Sequence, residues 1–160
     1  MALTIIHNPD PRLHQMSVDL SKEELALPET QTFIDQMIET MKAQKSNEST
    51  PVGLAAPQVG VNKRIIIVDH DGTGPKVYVN ARVSSLSPRL VDSPEGCYSV
   101  PGTWGTVKRH KRAFVKALDR HGNKVAMRVS GFEGIVFQHE IDHLDGVLFI
   151  DRDVTITKTI

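Results

Sequence analysis

The sequence predicts an α+β fold, a single domain of mostly antiparallel strands packed around a central metal-binding helix. Three observations predict it. A helical segment near 131–144 carries His139-Glu140-Ile141-Asp142-His143 beside an apolar face. Short runs rich in β-branched residues, at 64–68, 76–79, 114–118 and 124–129, have strand character. The chain of 160 residues is 39% hydrophobic and 24% charged, with no internal repeat and no dividing linker, so 1–160 reads as one domain with one core.

The elements follow in order. A first amphipathic helix covers 28–44, because Phe33, Ile34, Met37, Ile38 and Met41 recur at the helical period. The polar stretch Lys45-Ser46-Asn47-Glu48-Ser49-Thr50 reads as a loop. The runs Arg64-Ile65-Ile66-Ile67-Val68 and Lys76-Val77-Tyr78-Val79 are strands. Pro94 to Gly102, with proline or glycine at 94, 96, 101 and 102, reads as a shaped turn and not a regular strand interior. The basic run Lys108-Arg109-His110-Lys111-Arg112 reads as a solvated strand or turn. Phe114–Leu118 and Lys124–Val129 form a hairpin through Asp119-Arg120-His121-Gly122-Asn123. Ser130 and Glu133 have capping-box spacing at the start of the next helix, and Asp145-Gly146 supplies its stop. The tail Val154-Thr155-Ile156-Thr157 alternates like a strand.

On a helix, residues four apart lie about 40° apart around the axis and roughly 6 Å along it. His139 and His143 can therefore reach one divalent ion, with Glu140 at a neighbouring angle, close enough to hold a water. Two imidazoles leave such an ion short of ligands, since catalytic sites usually have three protein ligands and a position for water. Cys97 is the only cysteine. A lone cysteine is most often a buried small hydrophobe, but with a two-histidine helix in the same chain it becomes a good third ligand. It has no partner for a disulfide or a cysteine-rich zinc site, which agrees with a reducing compartment.

Three stretches together resemble the peptide deformylase family. Gly53-Leu54-Ala55-Ala56-Pro57-Gln58, Glu95-Gly96-Cys97-Tyr98-Ser99 and Gln138-His139-Glu140-Ile141-Asp142-His143 are similar to its three motifs, in the family's order and spacing. The resemblance runs from Pro9-Asp10-Pro11-Arg12-Leu13 to Gly146-Val147-Leu148-Phe149. It implies one deformylase-like catalytic domain, with Cys97, His139 and His143 as metal ligands and Glu140 as general base. It implies that the Gln58 amide and the Tyr98 backbone N–H bind the oxyanion, and that Gly53 lines the substrate cleft. The implied cofactor is one divalent metal, natively Fe(II), with Zn, Ni or Co able to replace it. The implied reaction removes the N-formyl group from the formyl-methionine that begins a new polypeptide: metal-bound water attacks the formyl carbonyl and Glu140 takes the proton. The implied partners are N-formylmethionyl nascent peptides, with a transient ribosome contact.

That chemistry is consistent with the residues. A metal lowers the pKa of water and polarises a carbonyl, a positioned carboxylate moves the proton, and donors fixed in advance meet the developing oxyanion. Val52, Ile135 and Val136 serve either as core or as walls for a methionine side chain. Glu95 is expected to orient neighbouring backbone. Asp142 is expected either to orient an imidazole or to be a solvated helix residue. The chain departs from the family pattern at Pro51, in the long 45–50 connection, at Tyr98 where leucine is common, and at Gly102-Thr103-Trp104 where many members have a charge. Its strand-like tail also replaces the basic helix of many members.

Other functions fare worse. No Gly-Lys-Ser/Thr follows the glycines at 53–60, so a phosphate loop is not expected. Net charge is zero, and the basic run lacks interleaved aromatics, so specific DNA binding is not expected. His7, His14, His70, His110 and His121 lack ligand spacing and read as surface or locally bonded groups. The N-terminus lacks a secretory pattern and no apolar span follows, so no membrane partner is expected. The expected location is the cytoplasm, the mature form of an organellar protein being the alternative. A general metallopeptidase would explain His-Glu-x-x-His but neither Cys97 nor Gln58. A silent binding relative would be expected to have lost Glu140 or a ligand.

Overall fold

The computed structural model describes residues 1–44 and 52–160; Pro51 and the 45–50 loop lie outside them. Its helices are α1 (Lys22–Ala26), α2 (Pro28–Ala43) and α3 (Gly131–Leu144). Its strands are β1 (Gly53–Ala55), β2 (Ile65–Val68), β3 (Lys76–Leu86), β4 (Leu90–Cys97), β5 (Val100–His110), β6 (Arg112–Leu118), β7 (Lys124–Ser130) and β8 (Thr155–Thr159). They form two antiparallel sheets, one of five strands in the order β1-β2-β3-β6-β7 and one of three in the order β4-β5-β8.

Strand β2 shows why the larger sheet sits where it does. Its four residues are all buried. Side chains alternate across a strand, and here the two sets enter different clusters. Ile65 and Ile67 pack with Ile34, Met37 and Met41 of α2. Ile66 and Val68 pack with Val136, Phe137, Ile141 and Leu144 of α3. A helix on each face explains the unbroken apolar run. Helix α3 also meets β5 of the smaller sheet, so it lies against both sheets.

The expected α+β architecture is present, with differences in three places. First, the second motif lies in β4 up to Cys97, and only Tyr98 and Ser99 make the turn to β5. Pro94 is tolerated because β4 is an edge strand, where a missing N–H can face away from the ladder. Second, the basic run divides between β5 and β6, and Arg109 points inward with Gly105 and Val107 on the buried face. Third, Ser130 stands at the α3 N-cap but its side chain makes no capping bond. Glu133 instead lies 3.3 Å from His70 Nε2.

The C-terminal stop of α3 is as expected. The N–H of Val147 donates to the Asp142 carbonyl at 2.9 Å, and Gly146 takes a φ of 76°. A side chain there would meet the His14 backbone at 2.8 Å, so glycine serves both the turn and the contact. The tail is a strand, β8, paired with β5.

Candidate metal centre and catalytic cleft

Helix α3 turns His139, Glu140 and His143 toward the end of β4, where Cys97 stands. Cys97 Sγ lies 3.4 Å from His143 Nε2, and one ligand atom each from Cys97, His139 and His143 falls within 4.8 Å of the others. A tetrahedral centre with ordinary metal–sulfur and metal–nitrogen bonds needs an S···N edge of about 3.6 Å. The donor set therefore fits one divalent ion in both chemistry and spacing.

Behind these groups runs a buried chain of charges. His139 Nδ1 lies 2.7 Å from Glu95 Oε1. Arg109 donates to both Glu95 oxygens at 2.8 and 2.7 Å, and to Asp142 Oδ2 at 2.6 Å. At the exposed end of the chain Arg152 donates to both Asp142 oxygens at 2.6 Å. Burial works against the Glu95 carboxylate, but the bonds from Arg109 and His139 outweigh it and hold its pKa down at about 2. A carboxylate only accepts, so His139 donates from Nδ1 and leaves Nε2 for the centre. Burial would lower the His139 pKa; its bonds to Cys97 and Glu95 raise it well above the ordinary value. His143 goes the other way, pushed down by burial and by its neighbour His139. Its Nδ1 is buried without a hydrogen-bond partner among the described residues.

Two expectations change here. Glu95 orients an imidazole, not backbone, and Asp142 acts one step further out by holding Arg109. Arg109 itself was invisible as a site residue within a run that reads as solvated, yet it is 2% exposed. The alternation of Gly105, Val107 and Arg109 on one face of β5 was the available signal.

Glu140 is buried beneath β1. A Cβ on Gly53 would lie 2.6 Å from Glu140 Oε1 and 2.8 Å from its Cδ, so only glycine permits this approach. Burial pushes the Glu140 pKa up to about 7. Gln58, on the 3₁₀ turn Ala56–Val59, accepts the Ala55 N–H at Oε1 at 2.9 Å. That bond directs Nε2 to within 3.4 Å of both Cys97 Sγ and Ser99 Oγ. Tyr98 lies in the β4–β5 turn, and burial followed by the nearby Glu140 raises its phenol to about 12.

These groups open into a cavity of about 850 Å³. Val52, Gly53, Ile135 and Val136 line it, together with Ile5, His7, Phe132, Trp104 and Lys158. Val136 and Val52 also belong to the core around α3, so each serves both purposes.

Residues 2–159 match the family model for polypeptide deformylase. The chain belongs to the polypeptide deformylase family. It is 40% identical over 154 residues to a peptide deformylase of Desulforudis audaxviator, covering 96% of this chain and 95% of the relative. Its fold is similar to the crystal structure of the Thermotoga maritima peptide deformylase, with a TM-score of 0.86, 35% identity, and 95% and 97% of the two chains covered. A class I type b peptide deformylase of Acinetobacter baumannii with bound Met-Ala-Ser is similar too, at a TM-score of 0.86, 32% identity, and 95% and 98% coverage. The chain is thus a deformylase-family enzyme, and its Cys-His-His group suits the metal dependence of that family. Among the described residues no helix is long and apolar enough to cross a membrane.

Proposed function

We propose that residues 1–160 form one catalytic domain that removes the formyl group from the N-terminal formyl-methionine of nascent polypeptides in the cytoplasm, with transient ribosome contact. The observation that carries this reading is the convergence of Cys97, His139 and His143 with Glu140 under Gly53 at the base of one cleft. Cys97 Sγ and the Nε2 atoms of both histidines would hold one divalent ion, Fe(II) natively, with Zn, Ni or Co as substitutes. When bound, the ion supplies Lewis-acid polarisation of the carbonyl and a lowered pKa for water.

The remaining work belongs to the side chains. Water adds its oxygen to the formyl carbon, the C–N bond breaks, and formate and a free amine leave. Glu140 takes the proton from the water and returns it to the departing amine. Its burial keeps its affinity for protons near neutrality, which suits both transfers. The Gln58 Nε2–H and the Tyr98 N–H donate to the oxygen as charge develops on it. Gln58 loses little orientational freedom in doing so, because Ala55 already fixes its amide. Val52, Ile135 and Val136 receive the methionine side chain, and the Gly53 backbone lies along the peptide. Met-Ala-Ser in the Acinetobacter baumannii relative is the corresponding deformylated chemistry and supports this choice of substrate.

The test is amine release from a formyl-Met tripeptide, beside its acetyl and unformylated counterparts. The enzyme is loaded anaerobically with Fe(II), with nickel as an air-stable control. Turnover of the formyl peptide alone is expected. Cleavage of internal peptide bonds without formyl release would instead mark a metallopeptidase, and silence at full metal occupancy would mark a binding relative.

A further inference from the structure

We infer that Lys158, held over the indole of Trp104 at the cleft mouth, selects substrates with an acidic side chain shortly after the formyl-methionine. The inference rests on the deformylase reading and adds a specificity determinant to it.

The position of this cation is fixed by three contacts. Gly96 precedes Cys97 on β4, and a Cβ there would meet Trp104 Nε1 at 2.8 Å, so the indole lies directly on the strand beside the candidate centre. Trp104 on β5 is paired with Lys158 on β8. The Lys158 ammonium sits 4.9 Å from the ring centroid, a distance at which the ring face attracts it.

The electrostatics of the cleft give that charge a role. Among the lining residues, Glu95 is bound to Arg109 and His139, and Glu140 lies at the base. Lys158 is the one lysine or arginine on the described lining. Among the described residues its ammonium has the indole as partner and makes no salt bridge. The ammonium lies just beyond the indole that rests on Gly96, next to Cys97, and an extended peptide advances about 3.3 Å per residue. A substrate with its formyl group at the base therefore brings roughly its second to fourth residues under Lys158. A carboxylate there gains an ion pair, and a lysine there meets like charge.

The experiment is a set of formyl-Met peptides with amidated C-termini, carrying Glu, Gln or Lys in turn at the second, third and fourth positions. The quantity read is the ratio of kcat/KM for Glu over Lys at each position, with kcat and KM resolved separately. For the wild-type enzyme the ratio is expected to exceed one at one or two adjacent positions by about two- to five-fold, the range of an exposed ion pair. It should reside in KM and flatten at 0.5 M salt. Lys158→Met should bring the ratio to about one and Lys158→Glu should invert it. Lys124→Glu, the same charge change on exposed β7, should leave the ratio as in wild type. A flat wild-type series, a ratio that survives Lys158→Glu, or an equal response to Lys124→Glu would each overturn the inference. The Gln peptides report on the deformylase reading by themselves: if they turn over while the series is flat, only the inference falls, and if they do not, both fall.

Discussion

Glu140 and Gly53 compete for one space, and that competition defines the residue-scale chemistry. The carboxylate is buried, with Oε2 lacking a hydrogen-bond partner among the described residues and Oε1 against the Gly53 backbone. Glu140→Gln keeps the shape and removes the proposed base. It should retain bound metal and lose turnover by at least about a hundred-fold, the usual contribution of a general base. Metal content by elemental analysis beside formyl-peptide kinetics checks both halves, and near-wild-type turnover would remove Glu140 from the role. Gly53→Ala tests the space itself. Its Cβ would meet Glu140 heavy atoms at 2.6 to 2.8 Å, so either the carboxylate or β1 must move. Displacement of order 1 Å in a catalytic group lowers rates by up to about a hundred-fold. The expected result is a fall in kcat with metal content unchanged; unaltered kcat would mean that the approach is not needed for chemistry.

Among the elements, the paired strands β4 and β5 carry the site and were the least legible in the sequence. Helix α3 and strands β2, β6 and β7 follow from period and turn chemistry, which are local signals. Strand β4 contains Pro94 and ends in a glycine-flanked cysteine, so local rules read it as a turn. Its strand character comes from pairing with β5, which no local signal reports. Arg109 was hidden for the same reason. An inward arginine is reasonable only when Glu95 and Asp142 are known to converge on it, and they come from β4 and α3. Breaking that convergence should be severe, because one partner's loss leaves a buried charge uncompensated, at about 3–5 kcal/mol. Arg109→Met should therefore lower the thermal midpoint far more than Lys108→Met on the exposed face, and equal losses would deny the chain of charges its structural weight. The pH response has a definite sign. The Glu95 pKa is depressed from 4.5 to about 2, so its stabilising contribution is full above 4.5 and is lost as pH falls toward 2. Glu95→Gln should be less stable than wild type near neutrality, and the gap should narrow through that acid window.

At the scale of the whole molecule, the candidate centre joins two structures that otherwise meet through packing and the buried bonds of Glu95 and Arg109 to α3. His139 and His143 belong to α3, which is seated on the five-stranded sheet through Val136, Phe137, Ile141 and Leu144. Cys97 belongs to the three-stranded sheet and to a separate small core with Leu13, Val107 and Phe149. An ion held by all three residues is thus a tie between the sheets as well as a reagent. A ligand that binds only the folded state stabilises it by about 2.7 kcal/mol at a hundred times its Kd. For a chain of this size that corresponds to roughly 5–10 °C in Tm. Removing the metal with a chelator should lower Tm by that order, and the loss should be localised. Amide exchange should quicken in β4 and β5, which lose the tie, and stay slow in β2, which α2 and α3 clamp from both faces. Cys97→Ser should show the same pattern in reduced form, because it weakens the one ligand from the smaller sheet while leaving both histidines. Uniform loosening of both sheets on chelation would mean that the ion supports the core of α3 itself and does not join one sheet to the other.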